Sequence, residues 1–281
     1  MNPSPLRFPG GKYKIYKYIE KLIEINNCST YCEPFAGGSA ISIELLLKNK
    51  VNKIILNDYD YSIYCFWYSV LNNTDDLIHL IQETEINILN WKKQKKIRDN
   101  VYNHDKLTVG FSTFFLNRTN RSGIIDKAGP IGGFNQKSDY SIDCRFNKIK
   151  LIDKIEKIAK LKDKIELYNY DALDFIDIVL LKKRNVFTFF DPPYYRKGRG
   201  LYTNFYNHGD HQNLSKHILY KLKNRKWIVT YDNHEAIRKM YNSKKIIQFS
   251  LNYSLQNKIK AQEIMVYSSK VISKENDTCL L

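Results

Sequence analysis

Residues 191–195, a carboxylate followed by two prolines and two tyrosines, form the stretch of this chain best suited to chemistry. Residues 186–190 before it are β-branched or aromatic, which predicts a short strand buried on both faces. Because proline lacks an N–H group and fixes φ, this strand must end at Asp191. Open α/β sheets hold their ligands at the carboxyl ends of strands. A carboxylate, a backbone carbonyl and an aromatic ring at such a turn suit the exocyclic amine and the flat face of adenine.

A Gly-Gly turn at Gly37 and Gly38 is the second candidate site. Residues 31–40 predict a strand, this turn, and a helix that Ser39 caps and that runs to about residue 50. Glycine lets the backbone approach a ligand closely at a helix N-terminus. Asp58 follows a second predicted strand about 20 residues later, the spacing at which an acid binds ribose hydroxyls in βαβ nucleotide-binding units. Gly37 and Asp58 together therefore predict a nucleotide-like ligand.

Strands and helices alternate at both ends of the chain, which predicts an α/β fold. Residues 1–60 and 146–272 carry this alternation and are expected to form one catalytic domain, closed by an antiparallel pair of terminal strands. Residues 61–145 are mainly helical and are expected to form an insert. The tail, residues 273–281, is expected to fray.

Within the insert, residues 117–133 are the segment best suited to reading a nucleic acid. Four polar side chains stand close together before Ser-Gly and Gly-Pro turn signals: Arg118, Asn120, Arg121 and Ser122. Arginine, asparagine and serine bind phosphates and base edges, so we predict a projecting hairpin or ordered loop that contacts DNA. The lysine-rich run at residues 92–98 also fits a solvated helix face.

The composition agrees with a polyanionic partner. The 281-residue chain carries a formal net charge of +16, which favours nucleic acid, although a lysine-rich genome bias explains part of it. The five cysteines have no CxxC pair or histidine at zinc spacing, so we expect reduced thiols in a cytoplasmic protein and no metal. Prolines interrupt the N-terminal residues and no apolar stretch follows them, so we expect no signal peptide, and no apolar run has membrane-spanning length.

Read together, the motifs resemble those of the Dam-type (D12 class) DNA adenine-N6 methyltransferases. The matching blocks are residues 5–12 (Pro-Leu-Arg-Phe-Pro-Gly-Gly-Lys), residues 33–39 (Glu-Pro-Phe-Ala-Gly-Gly-Ser), Asn57-Asp58, and residues 191–194 (Asp-Pro-Pro-Tyr), in the family's order. The segment 114–118 is also similar to the family. Four residues such as Asp-Pro-Pro-Tyr occur by chance, whereas four blocks in order are specific.

The resemblance implies a class I methyltransferase (Rossmann-like) fold with a mostly parallel sheet. It also implies S-adenosylmethionine as methyl donor and double-stranded DNA as substrate, with the target adenine flipped out of the duplex. The residues that it assigns to the cofactor are Phe8, Lys12, Gly37, Asp58, Asp171 and Asp191. Asp191 and the Pro192 carbonyl would bind the adenine N6 amino group, and Tyr194 would stack on the base. We expect the protein to be a monomer, and a cognate restriction endonuclease is a candidate partner.

One position departs from the family. Members that read GATC have a basic residue where this chain has Asp126. A carboxylate does not bond guanine O6 and N7, so the resemblance leaves the recognition sequence open. Two other functions stay open from the residues alone: methylation of cytosine N4, and DNA binding without catalysis by a protein that retains a vestigial cofactor pocket.

Overall fold

The computed structural model describes residues 2–8, 11–196, 206–254 and 258–274, with backbone alone for 251–254 and 258–261. Most of the tail that we expected to fray, residues 275–281, lies outside the described residues.

A seven-stranded sheet forms the centre of the molecule, in the order β3-β2-β1-β4-β5-β7-β6. The strands are β1 (Thr30–Glu33), β2 (Lys53–Asn57), β3 (Ile165–Tyr168), β4 (Val186–Phe190), β5 (Lys226–Asp232), β6 (Lys245–Ser254) and β7 (Lys258–Tyr267). The pairs from β3 through β5 are parallel, and β7 is antiparallel to both of its neighbours. The expected mostly parallel Rossmann-like sheet, with its antiparallel terminal hairpin, is confirmed.

Helices connect the strands and build the insert. They are α1 (Tyr16–Asn26), α2 (Ala40–Leu47), α3 (Tyr61–Asn72), α4 (Thr74–Glu83), α5 (Ile88–Asp99), α6 (Lys106–Thr119), α7 (Lys148–Ala159), α8 (Ala172–Ile178), α9 (His208–Lys221) and α10 (Glu235–Met240). A 3₁₀ turn, Lys12–Ile15, precedes α1, and another, Arg121–Gly123, follows α6. No helix among the described residues has the length and apolar character needed to cross a membrane.

Two local predictions differ from the structure. Within the mainly helical segment, the sequence predicts one helix over residues 74–98, but the structure has two, α4 and α5, because Asn87 caps a new helix by accepting a hydrogen bond from the Asn90 N–H at 2.9 Å. Ser39 occupies the N-cap position of α2 as expected, but its side chain makes no capping hydrogen bond to the helix. Its backbone is left-handed (φ +45°) and its hydroxyl donates to the Ala36 carbonyl at 3.0 Å. This hydrogen bond between Ser39 and Ala36 closes the glycine turn.

Aromatic side chains pack the insert together. Phe66 of α3 and Phe114 of α6 stack with ring centroids 5.7 Å apart. Leu151 and Ile155 of α7, which follow the expected insert boundary, are buried in the same apolar cluster. Leu6 of the N-terminal segment joins it as well. The helices of residues 61–145 therefore share one apolar core with α7 and the N-terminal segment, and Ile165 and Leu167 of the edge strand β3 pack against it.

Candidate active site

Asp191 follows β4 directly, as the sequence pattern predicts, and its carboxylate is held by two neighbours. Thr230 of β5 donates its hydroxyl to Oδ1 at 2.7 Å. The Lys12 ammonium lies 2.9 Å from Oδ1 and donates to Oδ2 at 3.1 Å. Because the Asp191 side chain remains 25% exposed, this pairing does not close it off from a ligand.

Lys12 is buried between two carboxylates. Burial alone lowers the pKa of an ammonium, but Asp191 and Glu263 together raise the pKa of Lys12 above its ordinary value. The Lys12 Nζ lies 3.7 Å from Glu263 Oε2 and donates to the Tyr194 hydroxyl at 2.7 Å. Lys12 therefore stays positively charged, and its ammonium lies between the carboxylates of Asp191 and Glu263.

Tyr194 is buried, with 5% of its surface exposed, and its hydroxyl donates to Glu263. Its ring centroid lies 4.8 Å from the Lys12 ammonium. The next residues are held by a different carboxylate: Asp232, at the end of β5, accepts from the Tyr195 N–H at 2.8 Å and from the Arg196 N–H at 3.0 Å. The turn after Asp191 is thus held by Glu263 through the Tyr194 hydroxyl and by Asp232 through the next two backbone N–H groups.

A cavity of about 260 Å³ lies against these residues. Five of the predicted site residues line it: Phe8, Lys12, Gly37, Asp58 and Asp191. Asp171 is not among its lining residues in the described part of the chain, and instead caps α8 by accepting from the Leu173 N–H at 2.9 Å. The structure therefore brings the glycine turn, Asp58 and Asp191 to one space, whereas Asp171, Pro192 and Tyr194 are not among its lining residues in the described part of the chain.

The glycine turn and Asp58 form one wall of this cavity. The Gly37 N–H donates to Asp58 Oδ2 at 2.8 Å, and the Asp60 N–H donates to Oδ1 at 2.9 Å. Gly37 has φ +46°, and a Cβ there would lie 3.3 Å from the Phe8 ring, so glycine fits both the conformation and the space. Burial, and then the Asp60 charge, raise the pKa of Asp58 to about 7 against these two hydrogen bonds.

The predicted DNA-contacting residues divide into two pairs. Asn120 is fully buried: its amide donates to the Ile124 and Ile125 carbonyls at 2.8 and 2.9 Å and accepts from the Trp91 indole at 2.6 Å. Arg118 donates to the Arg145 carbonyl at 2.9 Å. The structure therefore places the Asn120 side chain inside the loop after α6, whereas Arg118 is half-buried at the end of α6 and also donates to the Pro5 carbonyl at 3.4 Å.

Arg121 and Ser122 lie on the outside of that loop. Arg121 is exposed and Ser122 is half-buried. Ser122 has φ +56°, and the following Gly123 has φ +76°. A Cβ at Gly123 would lie 2.7 Å from the Arg7 carbonyl oxygen, so the loop tip rests on the N-terminal segment.

Asn117 joins the loop after α6, residues 120–133, to that segment; we call it the recognition loop because its sequence predicts contacts with DNA. Its side-chain oxygen accepts from the Arg7 N–H at 2.8 Å. Its amide nitrogen donates to the Arg7 carbonyl at 2.7 Å and to the Gly123 carbonyl at 2.9 Å. Because Phe8 follows Arg7, this buried amide ties the loop to the wall of the cavity.

Asp126 is part of an ion-pair cluster, which we call the Arg98 clasp (Arg98, Asp60 and Asp126). The Arg98 guanidinium of α5 donates to both oxygens of Asp126 at 2.8 and 2.9 Å, and to both oxygens of Asp60 at 3.0 and 3.3 Å. Asp60 and Asp126 both line the cavity. The carboxylate that replaces the family's basic residue is thus engaged by an arginine of the insert.

Sequence reasoning missed Thr230, Asp232 and Glu263. Asp232 ends a strand as Asp58 and Asp191 do, but from the sequence an acid in front of a short helix fits a helix cap equally well, so it was not selected. Thr230 and Glu263 lie within strands and carry no pattern that separates them from other strand residues.

The parallel sheet, the glycine turn and the strand-end acids around one cavity are the architecture of a Rossmann-like methyltransferase. Residues 8–255 match the family described as D12 class N6 adenine-specific DNA methyltransferase, and the chain belongs to this family. The protein is a site-specific DNA methyltransferase that acts on adenine, and family membership implies S-adenosylmethionine as its donor.

Several relatives are similar over much of the chain. The Type II methyltransferase M.MjaIII of Methanocaldococcus jannaschii is 26% identical, over 67% of this chain and 68% of that protein. The Type II methyltransferase M.CviBI of Paramecium bursaria Chlorella virus NC1A is 23% identical, over 84% of this chain and 85% of that protein. The modification methylase StsI of Streptococcus sanguinis is 27% identical over 68% of this chain, but over only 28% of that protein.

Among solved structures, the rRNA methyltransferase aviRa from Streptomyces viridochromogenes aligns over 87% of this chain and 78% of that chain. The TM-score of 0.37 and the 10% identity are too low for this likeness to support a conclusion.

Proposed function

We propose that Asp191 and the Pro192 carbonyl orient the N6 amino group of an adenine flipped out of duplex DNA, and that Tyr194 forms part of the base pocket. The observation that carries this proposal is the position of Asp191. It ends β4, keeps a quarter of its side chain exposed, and shares one cavity with Gly37 and Asp58. An acceptor for the amino group therefore faces the wall proposed to hold the methyl donor.

The chemistry required of the chain is modest. The lone pair of the adenine amine is delocalised into the ring, and hydrogen bonds from N6–H to Asp191 and the Pro192 carbonyl favour a nitrogen with an available lone pair. The bound cofactor supplies an activated methyl group. Asp191 accepts a proton only after the nitrogen has been methylated, because only then is that proton acidic. Positioning and fixed electrostatics supply most of the rate.

The cavity suits S-adenosylmethionine. Asp58 presents a carboxylate at the wall, which fits the hydroxyls of a ribose. Phe8 and Ile63 supply apolar surface for the remainder of the nucleoside. Tyr206 also lines this space, and burial, followed by the nearby charge of Asp171, raises its pKa, so Asp171 lies beside a residue of the cavity wall.

Cofactor affinity should depend on pH through Asp58. Its pKa of about 7 means that it is largely protonated at pH 6, and a carboxylate that accepts two ribose hydroxyls must be ionised. We expect the Kd for S-adenosylhomocysteine to rise about tenfold for each pH unit below the pKa and to be constant above it. Titration calorimetry in buffers of different ionisation enthalpy should show proton release on binding at pH 6.5.

Asp58→Asn is the matched control for this prediction. It keeps the shape of the side chain but cannot ionise, so it should bind more weakly and without proton release. Asp60 and Tyr206 also face this carboxylate, and neither is changed in the control. A wild-type affinity that does not vary between pH 5.5 and 8 would remove Asp58 from the ribose site.

On the DNA side, we assign phosphate or base contacts to Arg121 and Ser122, while Asn120 supports the loop that presents them and Arg118 ties the end of α6 to Arg145 and Pro5. Arg121→Ala should weaken DNA binding about tenfold and reduce the slope of log K against log salt by about one. Arg184 is also exposed, but it lies just before β4 starts, at the opposite end of the sheet. Arg184→Ala should leave both quantities unchanged, and equal losses in the two variants would show only a general effect of charge.

The decisive experiment is to express the chain in cells that lack DNA methylation, digest their DNA to nucleosides and sequence the modified positions. N6-methyladenine at one repeated sequence is the expected product, whereas N4-methylcytosine would reassign the substrate. The relatives named Type II methyltransferases suggest a cognate restriction endonuclease as partner. We further propose that the chain acts as a monomer in the cytoplasm, as expected from its sequence. Protection of the methylated DNA against a nuclease encoded beside the gene tests that partnership.

A further inference from the structure

Glu263 is a buried carboxylate for which the proposed mechanism has no use. It lies on β7 opposite Asp232 of β5 and is fully buried. One of its oxygens accepts from the Tyr194 hydroxyl, and the other lies 3.7 Å from the Lys12 ammonium. A charged group so far from water is costly unless it serves a partner.

The position of Lys12 creates a conflict at Asp191. The ammonium contacts both oxygens of Asp191, at 2.9 and 3.1 Å, and Thr230 takes one of the same oxygens at 2.7 Å. The adenine amino group must donate to this carboxylate as well. Moreover, its nitrogen becomes positively charged as the methyl group arrives, and an ammonium on the same carboxylate would repel it. Lys12 must therefore be drawn back before the transfer.

We propose that Glu263 is a positioning residue that receives the Lys12 ammonium when the adenine amino group takes its place on Asp191. A shift of about 1 Å toward Glu263 would bring the two charged groups to normal hydrogen-bond distance. Tyr194 contacts both Lys12 and Glu263, so it bridges the two positions and stays bonded throughout. The ammonium keeps a carboxylate partner at every stage, so no buried charge is left alone.

This inference rests on the proposed function, because it needs an adenine amino group at Asp191. It predicts how the methyl-transfer rate of a variant without the Glu263 charge compares with that of a variant that also lacks the Lys12 ammonium. Without the Glu263 charge, Lys12 should remain on Asp191 and oppose the reaction, so removing the ammonium as well should help. If Glu263 served only to hold the fold, the second substitution would add to the damage.

The test is a double-mutant cycle on the single-turnover rate of adenine methylation, at saturating DNA and S-adenosylmethionine. Glu263→Gln should slow transfer by about 100-fold. Lys12→Met together with Glu263→Gln should be at least about tenfold faster than Glu263→Gln alone. Glu166→Gln is the matched control and should leave the rate unchanged. Glu166 is a half-buried carboxylate on β3 that forms an ion pair with Lys183.

Each outcome decides something. A Glu263→Gln rate equal to that of Glu166→Gln, or a double variant slower than Glu263→Gln alone, overturns the inference while the proposed function stands. If the wild-type protein transfers no methyl group to adenine, the proposed function itself fails.

If circular dichroism shows that Glu263→Gln does not fold, Glu263→Asp replaces it in the cycle. Its shorter side chain should slow transfer about tenfold, with the same recovery on adding Lys12→Met, and an unchanged rate overturns the inference.

Discussion

Replacing Asp191 by asparagine is expected to lower the single-turnover rate of methyl transfer by about a thousandfold or more. The amide has nearly the same shape, so the cavity and its other walls should persist. However, it has one acceptor oxygen instead of two and no negative charge to stabilise the cationic nitrogen that forms on methylation. Its NH₂ group would also face the Lys12 ammonium or the Thr230 hydroxyl, both of which now donate to the carboxylate. A tritiated donor and rapid quench measure the rate.

Binding should survive this substitution. Since Asp58 and the recognition loop are not altered, the affinity for DNA should stay within a few fold of wild type, and S-adenosylhomocysteine should still bind with only the contribution of the Asp191 charge removed. Asp153→Asn removes an exposed carboxylate on α7 and serves as the control, with an unchanged rate expected. An Asp191→Asn variant that methylates at the wild-type rate would exclude Asp191 from the reaction.

Asn117→Asp should lower the free energy of unfolding by about 3 kcal/mol at pH 8. The isosteric carboxylate can still accept from the Arg7 N–H. Its second oxygen, however, would face the Arg7 and Gly123 carbonyls, to which the amide now donates at 2.7 and 2.9 Å. Chemical denaturation followed by circular dichroism gives this difference. Cofactor affinity should fall as well, because the Arg7 backbone precedes Phe8 in the cavity wall.

The pH dependence of this loss identifies its cause. The new carboxyl is buried beside two carbonyl oxygens, so its pKa in the folded protein lies above the unfolded value. The penalty is therefore full at high pH and shrinks as the pH falls and the group is protonated, when measured against wild type at the same pH. Asn72→Asp, at an exposed position on α3, should cost less than about 1 kcal/mol. A loss at Asn117 that does not vary with pH would indicate a packing defect instead.

The sequence predicts the acids at strand ends because their signal is local. Asp58 and Asp191 each follow an apolar run, and the carboxyl ends of parallel strands meet at one edge, so their convergence in one cavity follows from topology alone. Glu263 gives no such signal. Its strand runs antiparallel, and only the pairing of β7 with β5 brings it to the rear of the site.

The recognition loop shows a different limit. Arginine, asparagine and serine close together predict a polar surface, but composition does not say which side chains point outward. Asn120 points inward because three buried partners, two carbonyls and an indole, lie within its reach. Those partners come from the tertiary arrangement of α5 and the loop, which no local spacing reveals. The outward placement of Arg121 likewise emerges only from the fold.

The Arg98 clasp has a consequence for engineering. Its guanidinium comes from one helix of the insert, while its two acidic partners come from the segment before α3 and from the loop after α6. Grafting a loop with a basic residue at position 126 from a relative would set two cations against each other and leave Asp60 to balance both. A new target sequence would therefore have to be installed as a matched set of three residues, and a library that varies the loop alone would return mostly inactive chimeras.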